Sequence, residues 1–318
     1  MDANNKISRR SALKRMGVAV IGGAIASSGL LSLSSCNDKS GKDKPRKRVI
    51  LYFTDTGNCL YIARQLADAD TELLSIPQLV KNKVYEIEAD EIGIVYPIYG
   101  HMPPYMVRQY VKKARLTAAY KFAVLTYGAR KCDAVEIWDR ISTAADNHFD
   151  YIGTIVMVDN WLPNFDMNEQ IKMDKHIPEN LARLKTDIDA RRNWHEPVTE
   201  EERQQHQGFL ERSGVNPDTG FIMSAEKYFT ITDACIECGV CTYVCPRGNY
   251  KLTPTGVTTA GDCEFCFACI QNCPQRAIQF APQEPGVFPD GTEKNPNARY
   301  RNEHISLMDI KKANNQQL

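Results

Sequence analysis

The chain has 318 residues, of which 43% are hydrophobic and 25% charged, a composition ordinary for one large or two modest globular domains. Its formal net charge is zero, but residues 1–48 carry a balance of +8 and the rest of the chain a balance of −8. An acidic body without a basic stripe excludes nucleic acid as the expected partner. Eight of the eleven cysteines fall within residues 235–273, and this clustering indicates metal binding rather than a disulfide framework.

The amino terminus, residues 1–35, is typical of an export signal. An apolar stretch rich in Gly, Ala and Ser runs from Met16 to Ser35. Five basic residues precede it: Lys6, Arg9, Arg10, Lys14 and Arg15. The sequence S-R-R-S-A-L-K resembles a twin-arginine signal, with Ala12 where that pattern prefers a larger apolar residue. The sequence L-S-S-C resembles the processing site of bacterial lipoproteins, which implies that Cys36 is lipidated and becomes the first residue of the mature protein.

Two other interpretations of residues 1–35 stay open from sequence alone. The apolar stretch, about 20 residues, is long enough to span a bilayer as an uncleaved helix, and a basic start can also belong to a cytosolic protein. Processing instead predicts a protein of the bacterial cell envelope, exported folded and anchored to a membrane, facing the periplasm. Residues 36–47 are then a solvated tether, whose lysines can lie on anionic lipid.

From Arg48 onward, strand-like and helix-like segments alternate. V-I-L-Y-F-T predicts a buried parallel strand, and the turn T-D-T-G-N-C leads into helical spacing from Asn58 to Leu66. Further strands are predicted over residues 92–96, 122–127 and 152–158, with helices near residues 104–114 and 134–144. This alternation predicts an α/β domain with a doubly wound parallel sheet over residues 48–160. Its ligand should lie beyond the carboxyl ends of the strands, where loops 54–59, 97–104 and 127–133 are expected to meet.

These three loops resemble those of flavodoxins. T-D-T-G-N-C is similar to their phosphate loop, T/S-x-T-G-N-T/S, while Y-P-I-Y-G-H-M-P-P and T-Y-G-A-R-K resemble the two loops that flank the flavin ring. The resemblance implies that FMN binds with its phosphate on Thr54, Thr56, Gly57, Asn58 and Cys59 and its ring beside Tyr99, Gly100, Tyr127 and Gly128. Cys59 departs from the pattern because a weakly donating thiol replaces a hydroxyl. The alternative is a flavodoxin-like scaffold that binds no flavin.

Residues 161–227 are predicted to form a polar helical linker or insertion. Leu181, Leu184 and Ile188 share one face of a predicted surface helix over residues 178–192. The spacing of the three histidines in this segment matches no metal site, so we expect them to be solvated or hydrogen-bonded. They are His176, His195 and His206. Trp161 is a candidate to cover the edge of the flavin.

Two cysteine runs, residues 235–246 and 263–274, share the spacing C-x2-C-x2-C-x3-C-P. Three close thiolates can hold three corners of a cubane cluster, while the fourth reaches the other cluster. We therefore expect one [4Fe–4S] cluster on Cys235, Cys238, Cys241 and Cys273, and the other on Cys263, Cys266, Cys269 and Cys245. A zinc ribbon is the alternative, but it would leave half of these cysteines unused.

The repeat over residues 228–282 resembles a small α+β bacterial two-cluster ferredoxin domain. Its outer segments, 228–231 and 277–280, are expected to pair as a β-ribbon, and the clusters to staple a module too small for a large core. In the tail, residues 283–318, Ser306 and Asp309 predict a capping box at the start of a last helix. Residues 48–318 resemble a family of bacterial proteins that fuse a flavodoxin-like domain to such a ferredoxin.

The resemblance implies a membrane-tethered electron-transfer protein that relays electrons between two [4Fe–4S] clusters and FMN. Its partners would be a redox protein or a membrane electron carrier. Because the twin-arginine route moves folded proteins, it suits a chain whose cofactors are fitted in the cytoplasm. Two alternatives stay open: a ferredoxin-type carrier whose flavodoxin-like domain serves for docking, and a flavin-dependent reductase of a small substrate. No constellation of catalytic acid, base and nucleophile names such a substrate, and Cys59 and Cys132 are expected to be inert thiols.

Overall fold

A computed structural model describes residues 46–162, 164–218, 229–280 and 298–317. The predicted signal, the predicted lipidation site Cys36 and nearly all of the predicted tether lie outside the described residues, as do parts of the predicted linker and tail. Within the described ranges, no helix is long and apolar enough to cross a membrane.

Eight strands and seven helices follow one another, mostly in alternation, along the described chain up to residue 213. The strands are β1 (Arg48–Tyr52), β2 (Glu72–Ser75), β3 (Glu86–Glu88), β4 (Glu91–Pro97), β5 (Arg115–Thr117), β6 (Tyr120–Tyr127), β7 (Tyr151–Val156) and β8 (Trp194–His195). The helices are α1 (Asn58–Leu66), α2 (Ile76–Lys81), α3 (Tyr105–Lys113), α4 (Ala134–Thr143), α5 (Met167–Lys172), α6 (Ile177–Asp189) and α7 (Glu200–Ser213). The four strands predicted from apolar runs correspond to β1, β4, β6 and β7.

Six of these strands form one parallel sheet in the order β2-β1-β4-β6-β7-β8. Strands β3 and β5 pair with each other outside it. Counted along the sheet, the first five strands follow the order 2-1-3-4-5, which is the order of the flavodoxin-like doubly wound fold. The predicted fold class of this part of the chain is therefore confirmed.

Helices cover both faces of the sheet. Strands β1 and β4 are buried along their whole length, which explains why, after the first residue of each, their sequences are apolar runs rather than alternating ones. These first residues, Arg48 and Glu91, form a buried ion pair at 2.8 Å. On one face α1 and α6 pack Ile62 and Ile188 into the core, and on the other α3 and α4 pack Val107 and Trp138. Each fully buried side chain of this size contributes about 1.5–3 kcal/mol to folding.

The segment predicted as a linker contributes to the sheet. Strand β8 pairs in parallel with β7, with Trp194 opposite Tyr151, and so extends the sheet beyond the boundary predicted at residue 160. Helix α6 carries the predicted apolar stripe and packs Leu184 and Ile188, both fully buried, against the sheet. A strand of two residues is too short to leave any periodicity in the sequence.

The cysteine-rich region and the tail add short elements. They are β9 (Phe229–Ile231), α8 (Val240–Val244), β10 (Tyr250–Thr253), β11 (Gly256–Thr259), α9 (Ala268–Gln271), β12 (Ile278–Phe280) and α10 (Leu307–Asn314). Strands β9 and β12 pair antiparallel, as expected of the outer segments, and β10 and β11 form a hairpin. Helix α10 begins at the predicted capping box, in which Ser306 and Asp309 exchange hydrogen bonds.

Candidate functional site

The two cysteine runs fold into loops with the same backbone conformation. In each run, the residues immediately before and after the second cysteine have positive φ angles, and so does the third residue after the last cysteine. These residues are Glu237, Gly239 and Gly248 in the first run and Phe265, Phe267 and Arg276 in the second. A left-handed residue other than glycine costs about 1 kcal/mol or more, and such strain clusters at ligand sites. The sequence repeat is therefore also a repeat of a strained loop.

The cysteine side chains group into two crossed sets. Burial raises the pKa of Cys241 to about 12, and the thiols whose charges add to this rise are Cys273, Cys235 and Cys238. Burial likewise raises the pKa of Cys263 to about 12, with Cys245 beside it. Burial raises the pKa of Cys266 well above its usual range, and its neighbours include Cys245 and Cys269. Each set thus takes three thiols from one run and one from the other.

The donor chemistry of both sets fits [4Fe–4S] clusters. All ten cysteines in the described ranges are unbridged. Backbone N–H groups of Asn249, Phe265 and Ala277 each donate to a cysteine sulfur at 3.3 Å, and such donors favour the thiolate that binds metal. No three His, Cys, Asp or Glu side chains of the described residues converge as ligands of one metal ion. A cubane cluster requires no such convergence, because its four thiolates bind four different irons.

The two sets differ in depth. In the first, Cys238 is exposed and Cys235 and Cys273 are half-buried, next to Ile236, whose surface is 61% exposed. In the second, all four cysteines are buried, and Glu264 of the same loop accepts a hydrogen bond from the backbone N–H of Met106 at 2.9 Å. The second set therefore lies against the sheet domain, and the first lies at the surface.

A cavity of about 240 Å³ lies at the carboxyl ends of β4, β6 and β7, where the sheet order predicts a ligand. All four residues predicted to flank a flavin ring line it: Tyr99, Gly100, Tyr127 and Gly128. Trp161, predicted to cover the flavin edge, lines it as well, together with Phe165 and Phe209. Glycine is required at position 128, because a Cβ there would lie 2.2 Å from an Asp159 carboxylate oxygen.

The predicted phosphate loop contributes less to this cavity, which it reaches only through Asp55 and Asn58. Thr54, Thr56 and Cys59 are almost completely buried. The Thr56 hydroxyl accepts a hydrogen bond from Asn160 at 3.0 Å, and the Cys59 sulfur lies 3.2 Å from the Thr126 hydroxyl. The Thr54 hydroxyl is buried without a partner among the described residues.

The carboxy-terminal tail covers the same loop. The backbone N–H of Asn302 donates to the Thr56 carbonyl at 2.8 Å, and the Tyr300 hydroxyl donates to the Asn58 side chain at 2.7 Å. Gly57 has a φ of 100°, and a Cβ on it would lie 2.8 Å from the Cβ of Ile305. These tail residues could not be predicted to contact the loop, since nothing in their local sequence links them to residues some 240 positions earlier.

Asp55 was also missed, because it occupies the unspecified position of the loop motif. Its buried carboxylate accepts hydrogen bonds from the Thr56 backbone N–H at 2.6 Å, the Tyr99 hydroxyl at 2.7 Å and the Asn160 side chain at 3.0 Å. Burial raises the pKa of Asp55, while these donors oppose the rise. The aromatic lining of the cavity thus suits a flat ring, whereas the phosphate of FMN would meet a buried carboxylate in its own loop.

A histidine pair lies beside the cavity. His101 lines the cavity and packs edge to face on His206, with 5.4 Å between the ring centroids. The Nδ1 atom of His206 lies 2.6 Å from a carboxylate oxygen of Asp133. Burial lowers the pKa of His101 to about 4, with the charges of His206 and Arg130 adding to the effect. The other two histidines of the middle segment have the environments expected of them. His176 is mostly exposed, and a ring nitrogen of His195 lies 2.9 Å from the Phe149 carbonyl.

No protein-family model matches the chain, and no curated protein matches it. Among solved structures, the chain is similar to a flavoprotein in complex with FMN from Lactobacillus acidophilus (16% identity, 34% of this chain and 93% of that one, TM-score 0.26). It is also similar to an NAD(P)H:quinone oxidoreductase from Methanothermobacter marburgensis (12% identity, 45% and 94%, TM-score 0.28). The fold assignment rests on the order of the strands.

Proposed function

We propose that the protein transfers electrons through two [4Fe–4S] clusters and a flavin. The observation that carries the proposal is the pair of cysteine loops, which repeat the same strained backbone and whose thiols group into two crossed sets of four. Each cubane cluster exchanges one electron at a time. Cys269 of the second set also interacts with Cys241 of the first, so the two clusters would adjoin as a relay.

The depth of the two sets supports an order for this relay. The first cluster, beside exposed Cys238 and Ile236, would exchange electrons with a redox partner protein or a membrane electron carrier. The second cluster would pass them on toward the cavity, because Cys266 is an electrostatic neighbour of both Asp55 and Tyr99. A flavin there can convert one-electron steps into two-electron chemistry.

The residues that would hold the flavin ring are the aromatic and glycine residues of two loops. Tyr99 and Tyr127 offer flat apolar surfaces, and Gly100 and Gly128 let the backbone approach the ring closely. The sequence predicts FMN as this flavin. The aromatic lining of the cavity supports a flat ring, and the Asp55 carboxylate lies in the loop where the phosphate of FMN would bind.

A flavin-dependent reductase is the second candidate, and the histidine pair favours it. His101 lines the cavity, and Asp133 orients His206 behind it, an arrangement able to carry a proton to a substrate that accepts electrons. The docking alternative, in which the flavodoxin-like domain binds no flavin, is distinguished by whether the purified protein binds a flavin at all.

The cellular setting is proposed from the amino terminus alone. We expect export in the folded state, processing at Cys36 and attachment to a membrane of the cell envelope. Growth with a radioactive fatty acid should label the wild-type protein, while Cys36→Ala should be unlabelled and should leave the membrane fraction. A labelled Cys36→Ala variant would contradict lipidation at this residue.

An anaerobic redox titration tests the electron-transfer proposal. The as-isolated protein, supplemented with excess flavin and then desalted, should show a broad iron–sulfur absorbance and a flavin band that bleaches as reductant is added. Clusters without retained flavin would favour the docking alternative. Neither chromophore, in protein that is folded by circular dichroism, would overturn the proposal.

A further inference from the structure

We propose that Asp55 occupies the anion position of the loop after β1, so that the cavity binds a flat, redox-active ring without a phosphate in preference to FMN. The inference rests on the proposed function, because it concerns the ligand of the same cavity. It differs in claiming that the negative charge which flavodoxin-like loops take from the ligand is here supplied by the protein.

The hydrogen-bond donors around the loop after β1 already have an acceptor within the protein. An anion-binding loop directs its backbone N–H groups and nearby polar side chains at the bound anion. Here the Thr56 N–H, the Tyr99 hydroxyl and the Asn160 amide all donate to the Asp55 carboxylate, at 2.6–3.0 Å. These donors are therefore already used by a negative group that is part of the chain.

No positive charge near Asp55 among the described residues would offset the negative charge of a bound phosphate. Asp55 is 1% exposed, and among the described residues no lysine, arginine or histidine forms an ion pair with it. The ionisable groups on which the charge of Asp55 acts are Cys59, Cys266, Tyr99 and Tyr300, none of which carries positive charge. A phosphate dianion brought into this loop would repel the carboxylate in a site with little water to screen the charges.

The tail covers the side of the loop that faces away from the cavity. Tyr300 and Asn302 both donate to the Asn58 side-chain oxygen, at 2.7 and 3.2 Å, and Ile305 packs against Gly57. The cavity itself remains lined by Tyr99, Tyr127 and Trp161. What the protein leaves available is thus a surface for a ring and not a cradle for a phosphate.

The ligand class is a planar, uncharged ring with polar atoms on its edge. An isoalloxazine ring without a phosphate and a quinone ring share this chemistry. Riboflavin represents the first source and menadione the second, and FMN is the phosphorylated comparison for riboflavin.

The test measures dissociation constants of the anaerobic, cluster-containing protein for riboflavin, menadione and FMN by calorimetry. Wild type should bind riboflavin or menadione at least about tenfold more tightly than FMN. Asp55→Asn should tighten FMN binding about tenfold and leave riboflavin within about twofold, because it removes one charge and keeps the shape. Asp70→Asn is the control: it removes one negative charge from an exposed side chain outside the cavity, and the ratio of FMN to riboflavin affinity should not change.

The ratio of the FMN and riboflavin dissociation constants of wild type requires no variant that folds, so this ratio alone tests the inference. FMN binding more tightly than riboflavin in wild type would overturn the inference, as would protein with intact clusters that binds none of the three compounds. Protein that prefers riboflavin but contains no iron would refute the proposed relay and still support the role of Asp55.

Discussion

The side-chain amide of Asn314, at the end of α10, donates a hydrogen bond at 2.8 Å to the carbonyl oxygen of Thr54, 260 residues earlier in the chain. The same amide donates to the Val244 carbonyl in α8 at 3.1 Å. Asn314 is completely buried. One side chain therefore joins the loop after β1, the cysteine-rich region and the tail.

Replacing this side chain should destabilise the protein. Asn314→Ala leaves two buried carbonyls without their donor, and we expect the free energy of unfolding to fall by about 2–3 kcal/mol. Anaerobic urea unfolding of the cluster-containing protein, followed by tryptophan fluorescence, measures the change. The control Asn168→Ala removes an exposed asparagine and should stay within about 0.5 kcal/mol of wild type. Equal effects of the two substitutions would contradict the bridging role.

The crossed grouping of the thiols predicts which cluster each cysteine supports. Cys273→Ala changes the second run but should remove the cluster at the surface, since Cys273 neighbours Cys241. About four irons should remain, in the buried cluster. Cys132→Ala, a buried cysteine outside both runs, should keep the full iron content. A Cys273→Ala protein that loses the buried cluster and keeps the surface one would contradict the crossing, and electron paramagnetic resonance distinguishes the two.

Gly57 and Ile305 should show energetic coupling. Gly57→Ala forces a side chain onto a residue with a φ of 100° and brings its Cβ within 2.8 Å of the Ile305 Cβ. We expect the free energy of unfolding to fall by about 2–4 kcal/mol, in part because of backbone strain and in part because of the clash. In an Ile305→Ala background the clash is relieved, so the cost of Gly57→Ala should fall by about 1 kcal/mol or more. Additive effects in this double-mutant cycle would show that the tail does not rest on the glycine.

The low pKa of His101 predicts a loss of stability in mild acid. Its folded pKa, about 4, lies below the value of about 6.5 expected in the unfolded chain, so the unfolded state binds the proton first. The stabilising contribution is full above pH 6.5 and falls as the pH drops toward 4; the loss by pH 5.5 is about 1.4 kcal/mol. His206, Arg130 and Asp133 are the charged groups that act on it.

Urea unfolding of wild type and His101→Asn at pH 7.5 and pH 5.5 isolates this contribution. The free energy of unfolding should change less between the two pH values in the variant than in wild type, by about 1 kcal/mol, because asparagine does not titrate. The same pH dependence in both proteins would mean that His101 titrates normally in the folded state.

Much of the sheet could be predicted because local sequence determines it. The run V-I-L-Y-F, rich in β-forming residues, predicts β1, since a strand covered on both faces is mostly apolar. The two residues of β8 carry no such signal, and only packing against β7 makes them a strand. Helix α6 shows the converse: its apolar stripe was visible, but its position on the sheet depends on contacts that the stripe does not specify.

Part of the candidate site could likewise be predicted from the sequence, and part could not. The proposed grouping of the cysteines could be made from their spacing, because the geometry of two cubane clusters leaves few other arrangements. The role of Asp55 depends on donors from Tyr99 and Asn160, which are 44 and 105 residues away. Contacts of this kind arise only when distant loops meet, so a motif that leaves the position unspecified cannot reveal them.

The metal and sulfide content of the wild-type protein, purified without exposure to oxygen, decides whether the two cysteine sets hold clusters. We expect about eight irons and about eight acid-labile sulfides per chain, and no zinc. Stoichiometric zinc, or folded protein with two irons or fewer, would contradict the assignment of these eight thiols to two [4Fe–4S] clusters.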